Sequence, residues 1–115
     1  MICKVRLNEE LYEYYKKIEL ELQSGNKVNE REYKLISKGI ELLKLDFRKG
    51  EHISKKNQRA YEYFVKKYNV KNLWKLDVSQ DWRLIYTIEG NEVEVISFVL
   101  ESLSHKEYER KLGYH

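Results

Sequence analysis

The sequence predicts a single α+β domain in which an N-terminal helical hairpin packs on a twisted antiparallel sheet. Three observations lead there. The 115 residues suffice for one domain with its own core, without metal or disulfide support. Apolar residues in the first half recur every three or four positions, as on the buried face of a helix. In the second half they alternate singly between short polar turns, as in half-buried strands.

Ile2 and Val5 open a short first strand. Leu7, Leu11, Tyr15, Ile18 and Leu22 then line one face of a helix starting near Asn8. Ser24-Gly25-Asn26 ends it with residues that tolerate a left-handed backbone. A second helix starts at Asn29, placed to cap it while Glu32 reaches back from three residues on. Tyr33, Ile36, Ile40, Leu43 and Phe47 form its buried stripe, and Gly50 closes it. No proline occurs, so helix stops fall to glycine and asparagine. Residues 51–69 are less determined. Gly50 to Ile53 fits an extended piece, and Gln58 to Tyr68 fits a partial helix or an ordered loop.

Leu73 to Val78 reads as a strand bounded by Ser79-Gln80-Asp81, and Trp82 to Ile88 as the next. Trp82, Leu84, Tyr86 and Ile88 share one face of that strand; Arg83, Ile85 and Thr87 share the other. Glu89-Gly90-Asn91 is a hairpin turn, and Glu92 to Leu100 is the third strand of a meander. One face should bury against the helical hairpin, leaving the other partly open. Ser104 to Glu107 reads as a capping box opening a short helix, with Tyr108 and Leu112 one turn apart and Gly113 as its stop. The order is β-α-α-β-β-β with a short C-terminal helix.

Charge is unevenly distributed. The chain carries a net +3, yet Arg48 to Lys75 holds nine basic residues against two acidic ones, a local +7 that leaves −4 elsewhere. The same stretch contains Tyr61, Tyr63, Phe64, Tyr68 and Trp74. Cations interleaved with rings suit single-stranded nucleic acid, most readily RNA, although a solvated lysine face over an aromatic core has the same composition. The single cysteine, Cys3, excludes an intrachain disulfide and fits a cytoplasmic protein. No secretion signal and no membrane-spanning run is visible. Three histidines and one cysteine show no metal-ligand spacing, and no glycine-rich phosphate loop or nucleotide fingerprint occurs, so neither metal nor cofactor is expected.

Three segments carry a family likeness: Asn72-Leu-Trp-Lys-Leu-Asp-Val, then Asp81-Trp-Arg-Leu-Ile-Tyr-Thr-Ile, then His105-Lys-Glu-Tyr-Glu-Arg with Gly113-Tyr114. In these, and in the order of its elements, the chain resembles the RelE/ParE superfamily of type II toxin–antitoxin toxins over nearly its whole length. The resemblance implies a toxin silenced by a small cognate antitoxin that wraps around it. Family members of known activity cleave messenger RNA, often on the ribosome, or poison DNA gyrase. The apolar groove between the helical hairpin and the sheet edge would receive the antitoxin's helix.

Metal-free RNA cleavage needs a base for the ribose 2′-OH, cations for the phosphorane, and an acid for the leaving 5′-oxygen. Arg83 suits the second role: if Trp82 and Leu84 pack on the helices, its planar fork points from a rigid strand to the open face. An ion pair with Asp81 or Glu94 is the structural alternative. His105, first in a capped helix, can serve as acid or base, or be an exposed histidine with no task. Tyr108 and Tyr114 could stack on a base or share in proton transfer, and Tyr108 fits the core equally well. Lys55, Lys56, Arg59, Lys66, Lys67 and Lys106 are candidate RNA-backbone contacts through their collective charge. His52 and His115 read as solvent-exposed. One departure from the family stands out: Val93 to Leu100 offers no arginine, lysine or histidine, where its ribonucleases usually place a further basic or acid–base residue. The expectation is therefore a toxin with endoribonuclease activity on messenger RNA. A ParE-like gyrase inhibitor, or a binding protein that keeps the fold without cutting, stands beside it.

Overall fold

The computed structural model describes residues 2–90 and 94–112. In chain order they form β1 (Ile2–Leu7), α1 (Glu9–Gln23), α2 (Glu30–Leu45), β2 (Glu51–His52), α3 (Gln58–Tyr68), β3 (Trp74–Ser79), β4 (Trp82–Gly90), β5 (Glu94–Ser104) and α4 (His105–Leu112). The protein is α+β. The strands lie in the order β1-β5-β4-β3-β2; β2 to β5 pair antiparallel, and β1 joins the β5 edge in parallel.

Alternation along β4 sets the layers. Leu84 and Tyr86, with Trp82 and Ile88 packed beside them, face the helical hairpin and meet Leu11, Ile36, Leu43, Leu76 and Val78. Gly39 lets α2 approach closely, since a Cβ there would press into the Leu84 side chain. Ile85 points the other way. The face expected to be partly open carries a second core: Ile85 and Leu103 pack with Ile53, Ala60, Phe64, Val70, Leu73 and Tyr108 beneath α3 and α4. Residues 58–68 form a complete helix. Its pattern is ambiguous in sequence because its buried stripe is only Ala60 and Phe64, edged by tyrosines among three cations.

Capping follows side-chain chemistry with one exception. Asn8 and Asn57 each accept a backbone N–H three residues on, from Leu11 and Ala60, and Asn69 closes α3 in the left-handed region at φ 54°. Ser104 and Glu107 form the expected capping box, with the Glu107 N–H donating to Ser104 Oγ at 3.3 Å and the Ser104 N–H to Glu107 Oε1 at 3.3 Å. Asn29 makes no side-chain cap bond: its backbone, at φ −107° and ψ 21°, departs from the extended conformation of a capping residue, and the Glu32 carboxylate accepts the Tyr14 hydroxyl at 2.7 Å.

Several boundaries also differ from expectation. Leu7 belongs to β1. Helix α2 ends at Leu45, where Asp46 turns extended, so Phe47 lies beyond the helix. β5 runs on to Ser104, four residues past Leu100. Asn91 and Gly113 lie outside the described residues.

The segment between α2 and β2 is pinned to β4. The Tyr86 hydroxyl donates to the Phe47 carbonyl at 2.9 Å and accepts from the Gly50 N–H at 3.2 Å. A Cβ at Gly50 would strike the Lys75 carbonyl oxygen and come within 2.7 Å of that hydroxyl. Gly50→Ala should therefore destabilise the fold by about 1–3 kcal/mol, the usual cost of overpacking. Urea unfolding measures this, and an unchanged midpoint would show that the segment yields.

Candidate nucleic-acid interface

Strand alternation places Lys75, Asp77 and Arg83 on the α3/α4 face of the sheet. Asp77 and Arg83 are direct cross-strand partners, and Arg83 Nε lies 2.7 Å from Asp77 Oδ1. From above, α4 lays Tyr108 across them. The Arg83 guanidinium carbon sits 4.6 Å from the Tyr108 ring centre, and Lys75 Nζ 5.4 Å from the same centre. Two cations from adjacent strands thus flank one buried aromatic ring, each within cation–π reach.

Arg83 does turn away from the layer of Trp82 and Leu84, as expected, and its carboxylate partner is Asp77. Asp81 instead pairs with Arg31 at 2.6 Å. The face Arg83 points to is covered rather than open. The Arg83 side chain is 13% exposed and that of Lys75 23%, while Tyr108 is only 3% exposed. Tyr108 is therefore a core ring that orients cations and is too enclosed to stack on a base. His105 opens α4 as expected. Its side chain and Tyr114 lie outside the described residues.

The remaining basic candidates lie around α3. Lys55 and Lys56 are exposed in the turn before it, Arg59 is exposed in its first turn, and Lys66 and Lys67 occupy its last turn. Lys106 is exposed on α4. Lys67 is already engaged: its Nζ lies 3.5 Å from Glu101 Oε2 and over the rings of Tyr63 and Tyr68. Lys75 belongs to the charged stretch, but composition alone does not place it beside Arg83. The period-two alternation of β3 and β4 carried that signal, since Asp77 opposite Arg83 puts Lys75 on the same face.

A tyrosine–carboxylate cluster has no local sequence signal, because its carboxylate lies more than thirty residues from its tyrosines. Glu101 accepts the hydroxyls of Tyr63 at 2.8 Å and Tyr68 at 2.7 Å, fastening α3 to β5. It borders a cavity of about 270 Å³ where α1, α3, β5 and α4 meet. Burial, then the hydrogen bond to Glu101, holds the Tyr68 phenol well above its ordinary range. Burial and the Glu32 carboxylate push Tyr14 up to about 12. Burial also raises Tyr86 to about 12, with Asp46 adding to it and the Gly50 N–H opposing.

All three phenols are raised above the ordinary value of 10.0. Their contribution to stability is therefore complete below pH 10 and is lost as pH climbs through the folded-state values. Alkaline unfolding should begin between pH 10 and 12, with a late phenolate absorbance step coinciding with loss of circular dichroism. A single smooth titration centred near pH 10 would contradict the placement of these rings.

Among the described residues, no group of three or more histidine, cysteine or acidic side chains could hold a metal ion, and no helix is long and apolar enough to cross a membrane. No protein-family model, curated protein or solved structure matches this chain.

Proposed function

We propose that this chain is the toxin of a type II toxin–antitoxin pair with a RelE/ParE-like domain, acting on RNA in the cytoplasm. The observation that carries the reading is the meeting of Arg83 and Lys75 over Tyr108, at the junction of the sheet with the C-terminal helix. A phosphate at this point would meet a rigid guanidinium fork and an ammonium together. The Asp77 carboxylate lies beside the Arg83 guanidinium as its ion-pair partner, and His105, at the start of the same helix as Tyr108, is the acid–base candidate for the ribose hydroxyl or the leaving oxygen. The exposed cations Lys55, Lys56, Arg59, Lys66 and Lys106 extend the positive surface for the flanking backbone.

Support for an antitoxin partner comes from the other side of the molecule. Beside the edge strand β1 lies a groove of about 370 Å³ with Val5, Leu7, Tyr12, Tyr15 and Ile40 in its walls and Arg6, Lys16 and Lys44 at its charged positions. Tyr12 is 48% exposed, and Leu20, about two turns further along α1, is 64% exposed. An apolar segment edged with acidic residues fits that chemistry.

The test is expression in a bacterial host with transcripts followed through any growth arrest. Arrest with fragmented messenger RNA is expected, and arrest with an intact transcript pool overturns the nuclease reading. The pairing of Arg83 with Asp77 and its low exposure favour one second reading, a fold that binds RNA without cutting it. In that case purified protein binds RNA and leaves it whole.

A further inference from the structure

The geometry points to a nucleobase-stacking ledge at the β2 edge, on the opposite face of the sheet from Arg83, that selects unpaired nucleotides. The inference rests on the nucleic-acid reading above and adds a site for the base, where that reading supplies contacts for phosphate.

Four side chains build the ledge. Arg48 lies over the Phe47 ring at 5.2 Å. His52 is the cross-strand partner of Trp74, and their rings meet edge to face at 5.3 Å. Arg48 and His52 are exposed, while Phe47 and Trp74 are half-buried. Tyr86 ties the two pairs together from below: its hydroxyl holds the loop at Phe47 and Gly50, and its ring lies 6.2 Å from that of Trp74. The loop is further braced by the Arg48 N–H donating to Asp46 Oδ1 at 2.9 Å.

The ledge is thus held before any ligand arrives. Trp74 packs on the core with its inner side, while the His52 ring and the Arg48 guanidinium lie exposed beside Trp74 and Phe47. Lys49 precedes β2 and Lys55 and Lys56 follow it, all exposed, so cations for the backbone border the rings along the chain. Planar cations and aromatic rings bordered by lysines stack on any base and show little sequence preference. A base already paired in a duplex has its faces covered and is refused.

Intrinsic fluorescence tests the proposal, with Trp82→Phe leaving Trp74 as the single reporter. Four probes are titrated: a 2′-O-methyl single-stranded oligonucleotide that cannot be cut through its 2′ position, its DNA counterpart, the base-paired duplex, and inorganic polyphosphate. Both single strands should quench Trp74, and duplex and polyphosphate should not. His52→Ala and Arg48→Ala, both at exposed positions, should each weaken single-strand binding by about tenfold, the loss typical of one stacked base, and His52→Ala should leave polyphosphate binding unchanged. Single strands that bind without quenching and are indifferent to both substitutions would overturn the ledge while sparing the nucleic-acid reading. Failure of every probe to bind would overturn both.

Discussion

Arg83→Ala should abolish growth arrest and lower RNA affinity by on the order of tenfold to a hundredfold. The estimate follows from losing hydrogen bonds between a charged donor and a phosphate, about 1.5–3 kcal/mol. The substitution has a second consequence, because Arg83 also pairs with Asp77 and lies against the buried Tyr108 ring. Stability must therefore be measured alongside activity. Arg83→Lys separates the two effects: it keeps the charge and loses the fork, so it should retain much of the affinity for RNA and little of the toxicity. Titration with labelled RNA at fixed salt, with thermal unfolding of each variant, reads both quantities. A folded Arg83→Ala protein that still arrests growth would remove Arg83 from the chemistry.

Phe64→Ala should destabilise the protein by about 3–5 kcal/mol, the largest single effect expected on the fold. Phe64 is fully buried at the centre of the second core and meets the rings of Tyr63 and Tyr68. Those two tyrosines hold Glu101, so loosening Phe64 also releases the link from α3 to β5. Urea unfolding gives the magnitude. A loss below about 1 kcal/mol would mean that α3 contributes little to the core beneath it.

Much of this architecture is legible in the sequence because periodicity reports burial directly. The stripe from Leu11 to Ile18 and the alternation from Trp82 to Ile88 each place a face correctly. The second core is harder to read. Its α3 contribution is an alanine and a phenylalanine among lysines and tyrosines, and its sheet contribution is scattered singly over Ile85 and Leu103, so no window shows a strong period. The capping box at Asn29 fails for a related reason: its backbone is not extended and the Glu32 carboxylate has a tertiary partner in Tyr14, neither of which local pattern can anticipate. At the candidate site, the facing of Arg83 is readable from alternation alone. Its pairing with Asp77 depends on the register between β3 and β4, which includes an irregularity between Asp77 and Ser79 that no residue pattern announces.

The salt dependence of RNA binding by the unmodified protein probes the cationic face most directly. If four or five side chains displace counterions from a single strand, the logarithm of affinity should fall linearly with that of salt concentration, with a slope of about −3. Affinity that stays level as salt rises would contradict phosphate recognition by this surface.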